Sequence, residues 1–163
     1  MKNEKWYLIY VRPKQENRIA LDLSKQRIDV YFPKIEGGYK KKGIVPLFPG
    51  YLFVHLNNKE EFFRCDAVRG VCNFVKFGRD FATLYQKDID YIEQIVKNFT
   101  CVQVSNAFYE RGAKCEFKSG LLKGQQCEVI QINGKRKIVV RLASIKQNVL
   151  VDVSVNDVEV LAS

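Results

Sequence analysis

The sequence predicts an α+β fold in two parts. The first is a sandwich of one mostly antiparallel sheet with flanking helices, over residues 1–100. The second, after a linker at 101–110, is a small five-stranded closed β-barrel over 111–163. Three observations carry this reading. Strand-like and helix-like runs interleave up to Phe99, the pattern of a sheet with helices packed on it. The helical signal disappears from Gly112 onward. Asn133-Gly134 then stands between two β-rich runs, a strong short-range hairpin signal.

In order, "KWYLIYV" is an aromatic and β-branched strand halted by Pro13. "KQENRIALDLSKQR" follows as a helix with Ile19, Ala20 and Leu23 on one face. "DVYFPKI" is a second strand, and "EGGYKKKG" a glycine-rich hairpin tip carrying Lys40, Lys41 and Lys42. The returning strand is "IVPLFPGYLFVHL", Ile44 to Leu56, an almost uncharged run too short to span a bilayer. After Gly50 it alternates: Leu52, Val54 and Leu56 point one way, as a core face, and Tyr51, Phe53 and His55 the other. "KEEFFRCDAV" reads as a short helix, "CNFVKF" as a strand, and "QKDIDYIEQIVKNF" as a helix with Ile89, Ile92, Val96 and Phe99 at helical spacing. In the second part "AKCEF", "CEVIQI", "KIVVRL", "NVLVDV" and "VEVL" are the five strands, and closing them into a barrel removes exposed edges.

A hydrophobic share of 47% with 28% charged residues fits a packed chain rather than a disordered one. The net charge of +9 suits a polyanion or an acidic protein surface. The charge is spread: 18 Lys+Arg against 12 Asp+Glu in residues 1–100, and 9 against 6 in 101–163. No apolar run after Met1 is long enough for a signal peptide, and there is no transmembrane candidate, so the expected location is cytoplasmic. The five cysteines form no CxxC, and the lone His55 has no cysteine close in sequence, which disfavours zinc and a disulfide framework. The sequence has no phosphate loop, GxSxG or HExxH, and its carboxylate pairs converge on nothing, so neither an enzyme nor a cofactor is expected.

The segments "WYLIYVRPKQENRIA", "PLFPGYLFV" and "VRGVCNFVKFG", in that order, resemble the amino-terminal (NGN) domain of the NusG family of transcription elongation factors. "GAKCEFKSGLLKGQQCEVIQINGKRKIVVRL" resembles the KOW module that follows it. The wording is closest to the specialised, operon-dedicated branch, RfaH-like proteins and capsule-locus antiterminators. The KOW motif keeps Gly120, Leu121 and Gly124 but carries Cys127 where a second glycine is usual, seven residues after Gly120.

This resemblance implies a non-catalytic, monomeric factor that binds RNA polymerase and suppresses pausing or termination. It implies that the clamp helices of the largest polymerase subunit dock in an aromatic depression walled by Tyr10, Tyr51 and Phe53, with Phe81 at the rim. Large rigid rings suit such a site because they bury much surface at little entropic cost; the competing reading is that they pack inside their own domain. The resemblance also places Arg12, Lys14, Gln15, Arg18 and Arg69 against the non-template DNA strand. Lysine and arginine would hold phosphates, and Gln15 and Arg69 would reach bases. Lys40 to Lys42 are a further possible DNA contact, with a plain solvated face as the alternative. Pro13 stands where a close relative has a second basic residue. "EEFF", Glu60 to Phe63, replaces a His/Thr-rich turn that contacts the second-largest subunit in the RfaH-like branch. For the KOW module the resemblance implies a ribosomal protein, Rho, or a helical form docked on the first domain. The Val/Ile-rich composition of residues 127–160 disfavours that helical form. The rival reading of the whole chain is an RNA-binding or ribosome-associated KOW protein.

Overall fold

The computed structural model of the protein describes residues 5–37, 43–99, 102–120, 122–152 and 158–161. The chain forms two compact units, one from Met1–Lys34 and Pro46–Asp90, the other from Ile35–Val45 and Tyr91–Ser163.

The first unit is built on β1 (Lys5–Val11), followed by α1 (Glu16–Lys25) and β2 (Asp29–Tyr31). The "DVYFPKI" run is two strands rather than one. Pro33, which has no N–H to give a ladder, separates β2 from β3 (Lys34–Glu36). The Ile44–Leu56 run is also divided, into β4 (Ile44–Pro46), which pairs β3, and β5 (Tyr51–His55). Between them the chain turns at Phe48–Tyr51, with Gly50 at φ +83°. There follow α2 (Lys59–Asp66), β6 (Val71–Phe74), the short β7 (Lys76–Phe77) and β8 (Asp80–Phe81), β9 (Thr83–Tyr85) and α3 (Gln86–Asn98), of which the part from Tyr91 on, like most of β3 and β4, is assigned to the second unit. The Asn58 side chain caps α2 by accepting from the Glu61 N–H at 2.9 Å, while the Glu61 carboxylate accepts from the Asn57 N–H at 2.7 Å.

The main sheet runs β2-β5-β1-β6, with β9 also on β1, and every pairing is antiparallel. One face of it buries Ile9, Val11, Leu52, Val54 and Leu56 with Ile19 and Leu23 of α1, Ile28, Cys65 and Phe74. This is the aliphatic face that alternation predicts. The opposite face is covered as well. Trp6, Leu8 and Phe53 are buried there, and the Trp6 indole donates to the Gln86 side chain at 2.6 Å. Full burial of a side chain of this size is worth about 1.5–3 kcal/mol, so both faces contribute to the core.

The rest of the second unit is a sheet of six strands: β10 (Val102–Ser105), β11 (Ala113–Phe117), β12 (Gln126–Ile132), β13 (Lys135–Leu142), β14 (Gln147–Asp152) and β15 (Val158–Val160). Their order is β10-β14-β13-β12-β11-β15. Two expectations change here. The stretch 101–110 contains a strand, β10, paired along β14 from Val102↔Val151 to Ser105↔Asn148. The strands number six, and the pairing is a path ending at β10 and β15 rather than a closed ring among the described residues. Asn133 and Gly134 both have positive φ, +51° and +76°, the primed turn that suits the twist of a hairpin. Residues 126–132 and 135–142 are strand, in line with their valine and isoleucine content.

Cys65 and Cys115 are buried, Cys127 half-buried and Cys72 exposed; Cys101 lies outside the described residues. Burial, and then the charge of Asp66, pushes the Cys65 thiol up to about 12. Among the described residues no group of three or more His, Cys, Asp or Glu is placed to hold a metal ion. No described helix is long and apolar enough to cross a membrane.

Candidate functional site

The end of β1, the turn after it and the first turn of α1 bring Arg12, Lys14, Gln15 and Arg18 together. The "VRGV" turn adds Arg69. All five line one depression of about 560 Å³, with Asn17 as a sixth member. The backbone explains the convergence. Arg12 N–H donates to the Gly70 carbonyl at 2.9 Å, tying the end of β1 to the turn before β6. Gln15 N–H donates to the Arg12 carbonyl at 3.2 Å, closing a tight turn through Pro13 and Lys14. Pro13 supplies one fixed φ, and Lys14 sits at φ +67°, a left-handed value that costs a non-glycine residue about 1–3 kcal/mol. Gly70, at φ +101°, lies so close beneath α1 that a Cβ there would be 2.6 Å from Ile19 Cδ1 and 2.9 Å from Arg18 Nη2.

The five predicted residues are not equivalent. Arg18 is held at both Nη atoms: Nη1 donates to Asp22 Oδ2 at 2.9 Å, and Nη2 to Gln15 Oε1 at 2.9 Å and to the Arg69 carbonyl at 3.1 Å. Arg12, Lys14 and Arg69 are exposed, with no side-chain partner among the described residues. Asp22, which orders Arg18, is missing from the residues that the sequence singles out, although its spacing of four from Arg18 is the signal of a helical ion pair. Asn17 carries no signal beyond its neighbours. The arrangement offers several N–H donors and three uncommitted positive charges on an open surface, which suits phosphates and the edges of unpaired bases. Lys40, Lys41 and Lys42 lie outside the described residues.

The aromatic residues separate into three environments. Tyr10 and Tyr51 are direct cross-strand partners, their rings edge-to-face with centroids 5.4 Å apart, and Tyr10 is 36% exposed. Phe53 does not face outward. It is 0% exposed, packed against Phe48 at 5.5 Å and Tyr31 at 6.2 Å between ring centroids. Alternation puts Phe53 on the Tyr51 side of the strand but carries no information on what covers that side. Phe81 is not on the same rim. It packs with Tyr7, Phe62 and Phe74 and lies beneath Lys76 Nζ at 4.6 Å. Tyr7 points to the face of β1 opposite Tyr10, which separates Phe81 from the tyrosine pair. His55 is half-buried beside Trp6 and 3.8 Å from Asp29.

In the second unit Gly120 and Gly124, at φ +77° and +86°, shape the turn from β11 to β12; Leu121 lies outside the described residues. Cys127 occupies a regular strand position opposite Cys115, where no glycine conformation is required. Glu128 accepts from Arg141 Nε and Nη2, each at 2.9 Å, and from the Gly112 N–H at 2.7 Å. Its hydrogen bond with Arg141 is the main reason its carboxyl is held below the usual glutamate range. A depression of about 780 Å³ nearby is lined by Phe108, Tyr109, Glu110, Arg111 and Arg136, among others.

A family model described as "Transcription termination factor nusG" matches residues 4–93. A solved structure of Thermotoga maritima NusG, described by its domain interaction, is 21% identical, covers 97% of each chain and superposes with a TM-score of 0.59. Its fold is similar to this one. The MjSpt4:Spt5 complex matches in conformations B and A at 18% and 16% identity. Those matches cover 97% and 96% of this chain, and 97% and 98% of the other. Their TM-scores are 0.36 and 0.35.

Proposed function

The chain belongs to the NusG family of transcription factors, and from that premise we propose that it is a non-catalytic elongation factor that rides on RNA polymerase and opposes pausing or termination at particular operons. The observation that carries this reading is the single depression in which Arg12, Lys14, Gln15 and Arg69 converge with Arg18. Residues from a strand end, a helix start and a distant turn meet there with donors turned outward, as a displaced DNA strand requires. On this reading the non-template strand lies in that depression, and the clamp helices of the largest polymerase subunit dock on the Tyr10–Tyr51 pair beside it. Phe53 supports that surface from within the core instead of touching the partner. Residues 1–100 act as the NGN domain, 101–110 as the junction and 111–163 as the KOW module, with one monomer per polymerase in the cytoplasm. Rho or a ribosomal protein is the partner the KOW module would take.

The test is binding of the purified protein to RNA polymerase, alongside a Tyr10→Ala/Tyr51→Ala variant with unchanged circular dichroism. Both side chains are partly exposed, so their loss costs the fold less than loss of a buried ring, and the expected result is loss of binding. Undiminished binding by the variant moves the docking surface elsewhere. The second reading, an RNA-binding KOW protein, draws on the depression where Phe108, Arg111 and Arg136 meet. It predicts RNA affinity that falls steeply with salt and owes nothing to Tyr10 or Tyr51.

A further inference from the structure

Resting on the reading of the Arg12–Arg69 depression as a single-stranded DNA site, we propose that Gln15 discriminates guanine from adenine there. Arg18, held by Asp22, is the positioning residue that sets Gln15 for this, and it is not itself a DNA contact. The argument begins with a hydrogen bond of fixed direction. Arg18 Nη2 stands 2.9 Å from the Gln15 side-chain amide. A guanidinium carries donors and no acceptor, so the amide must turn its oxygen to it. The guanidinium itself has little freedom, because Asp22 and the Arg69 carbonyl hold it at 2.9 and 3.1 Å. Gln15 is therefore left with its NH2 group as the free end, and among the described residues that NH2 has no acceptor.

A glutamine reads adenine by giving its NH2 to N7 while its oxygen takes the N6 amino group. Gln15 turns that oxygen to Arg18, which takes one of its two lone pairs, so the NH2 is the end it presents to a base. Its charged neighbours in the depression, Arg12, Lys14 and Arg69, add only donors. Guanine meets them with two adjacent acceptors, O6 and N7, the edge arginine most often reads. Adenine keeps N7 but sets an amino donor where O6 would be, against a wall of donors. Asn17 is the lining side chain whose amide oxygen has no partner among the described residues, so it is the internal competitor to this assignment.

The experiment uses the full chain at low salt and short DNA strands in which a single base is flanked by stable abasic (tetrahydrofuran) residues. Binding is followed by fluorescence anisotropy. Guanine and inosine, which share O6 and N7, are expected to bind about tenfold more tightly than adenine, and 7-deazaguanine to fall toward adenine. In Arg18→Met or Asp22→Asn the amide is released, and the guanine-to-adenine ratio falls toward one. Because Arg18 touches no phosphate on this view, Arg18→Met also keeps the wild-type salt slope; a direct phosphate contact would lower it by about 0.7 for a single strand. Gln15→Glu, which presents only acceptors, lowers the ratio, and Asn17→Ala leaves it intact. Equal wild-type affinity for guanine and adenine overturns the assignment while the site stands as a phosphate binder. A preference that survives Arg18→Met but disappears in Asn17→Ala overturns it in favour of Asn17. No binding to any strand removes the DNA reading of the depression together with the inference.

Discussion

Replacing Gly70 with alanine is the sharpest test of how the basic depression is built. Two separate costs follow from the geometry. The backbone there has φ +101°, outside the range an L side chain tolerates, which costs about 1–3 kcal/mol. The added methyl would also lie 2.6 Å from Cδ1 and 2.9 Å from Cγ1 of Ile19, and 2.9 Å from Arg18 Nη2. Ile19 is 0% exposed and packed in the core, so it has nowhere to retreat. Overpacking of this kind costs about 1–3 kcal/mol more. The expected total is roughly 2–6 kcal/mol. Gly78 supplies the control: at φ +66° it has nothing within 4 Å of a built Cβ, so Gly78→Ala pays only the backbone cost. The chain has one tryptophan, Trp6, and it is buried in the first unit, so its fluorescence during urea unfolding follows that unit. With a slope of about 1–3 kcal/mol per molar urea, Gly70→Ala should lower the midpoint by at least about 0.7 M and by more than Gly78→Ala does. Equal midpoints for the two variants would refute the close approach of Gly70 to α1.

Two further outcomes follow from the packing. Phe53→Ala should cost about 3–5 kcal/mol in the same unfolding experiment, whereas Tyr10→Ala should cost far less. A Phe53→Ala protein as stable as the wild type would restore Phe53 to the surface. In the second unit, Glu128 has a folded pKa below its ordinary value of 4.5. Its contribution to stability is therefore fully present above that value and is lost as pH falls through the lower, folded pKa. Thermal scans from pH 7 downward should show a shallower acid limb in Glu128→Gln than in the wild type. Parallel curves would mean that the Arg141–Glu128–Gly112 bonds do not stabilise the fold.

Elements with strong internal periodicity are legible in the amino-acid sequence: α1 and α3 by their apolar stripes, β12 and β13 by their β-branched content and the Asn133-Gly134 turn between them. The features that escape it depend on long-range contacts. "VQVS" is too short for its alternation to rise above chance, and it is a strand because β14 offers it an edge. Pro33 and the Phe48–Tyr51 turn divide runs whose apolar content hides the break. Parity along β5 identifies the side of the strand that Phe53 is on, but whether that side faces solvent depends on Phe48 and Tyr31. The basic depression is easier to read because Arg12, Lys14, Gln15 and Arg18 lie close together along the chain. Arg69, 51 residues from Arg18, joins them only through its carbonyl and the Gly70 turn.

The tyrosine pair and the basic depression share one structural origin, the end of β1. Tyr10 pairs with Tyr51 across the ladder, and a Cβ on Gly50 would lie 3.4 Å from the Tyr10 ring. The register of β1 against β6 then slips between Tyr10 and Val11, and a bulge of that kind re-aims the side chains beyond it. Val11 donates to the Gly50 carbonyl at 2.8 Å and Arg12 to the Gly70 carbonyl at 2.9 Å, so two glycine turns fix the strand end from either side. Along an extended chain Tyr10 and Arg12 are separated by about 7 Å. On the proposed function, a polymerase helix seated on the tyrosines would reach almost to the first DNA-binding side chain. The short, doubly tethered segment between them leaves little slack for one contact to shift without the other. That coupling gives a physical reason for a factor with an open, modestly charged DNA site to read its strand on the polymerase: the protein contact supplies the affinity, and the depression the choice of base.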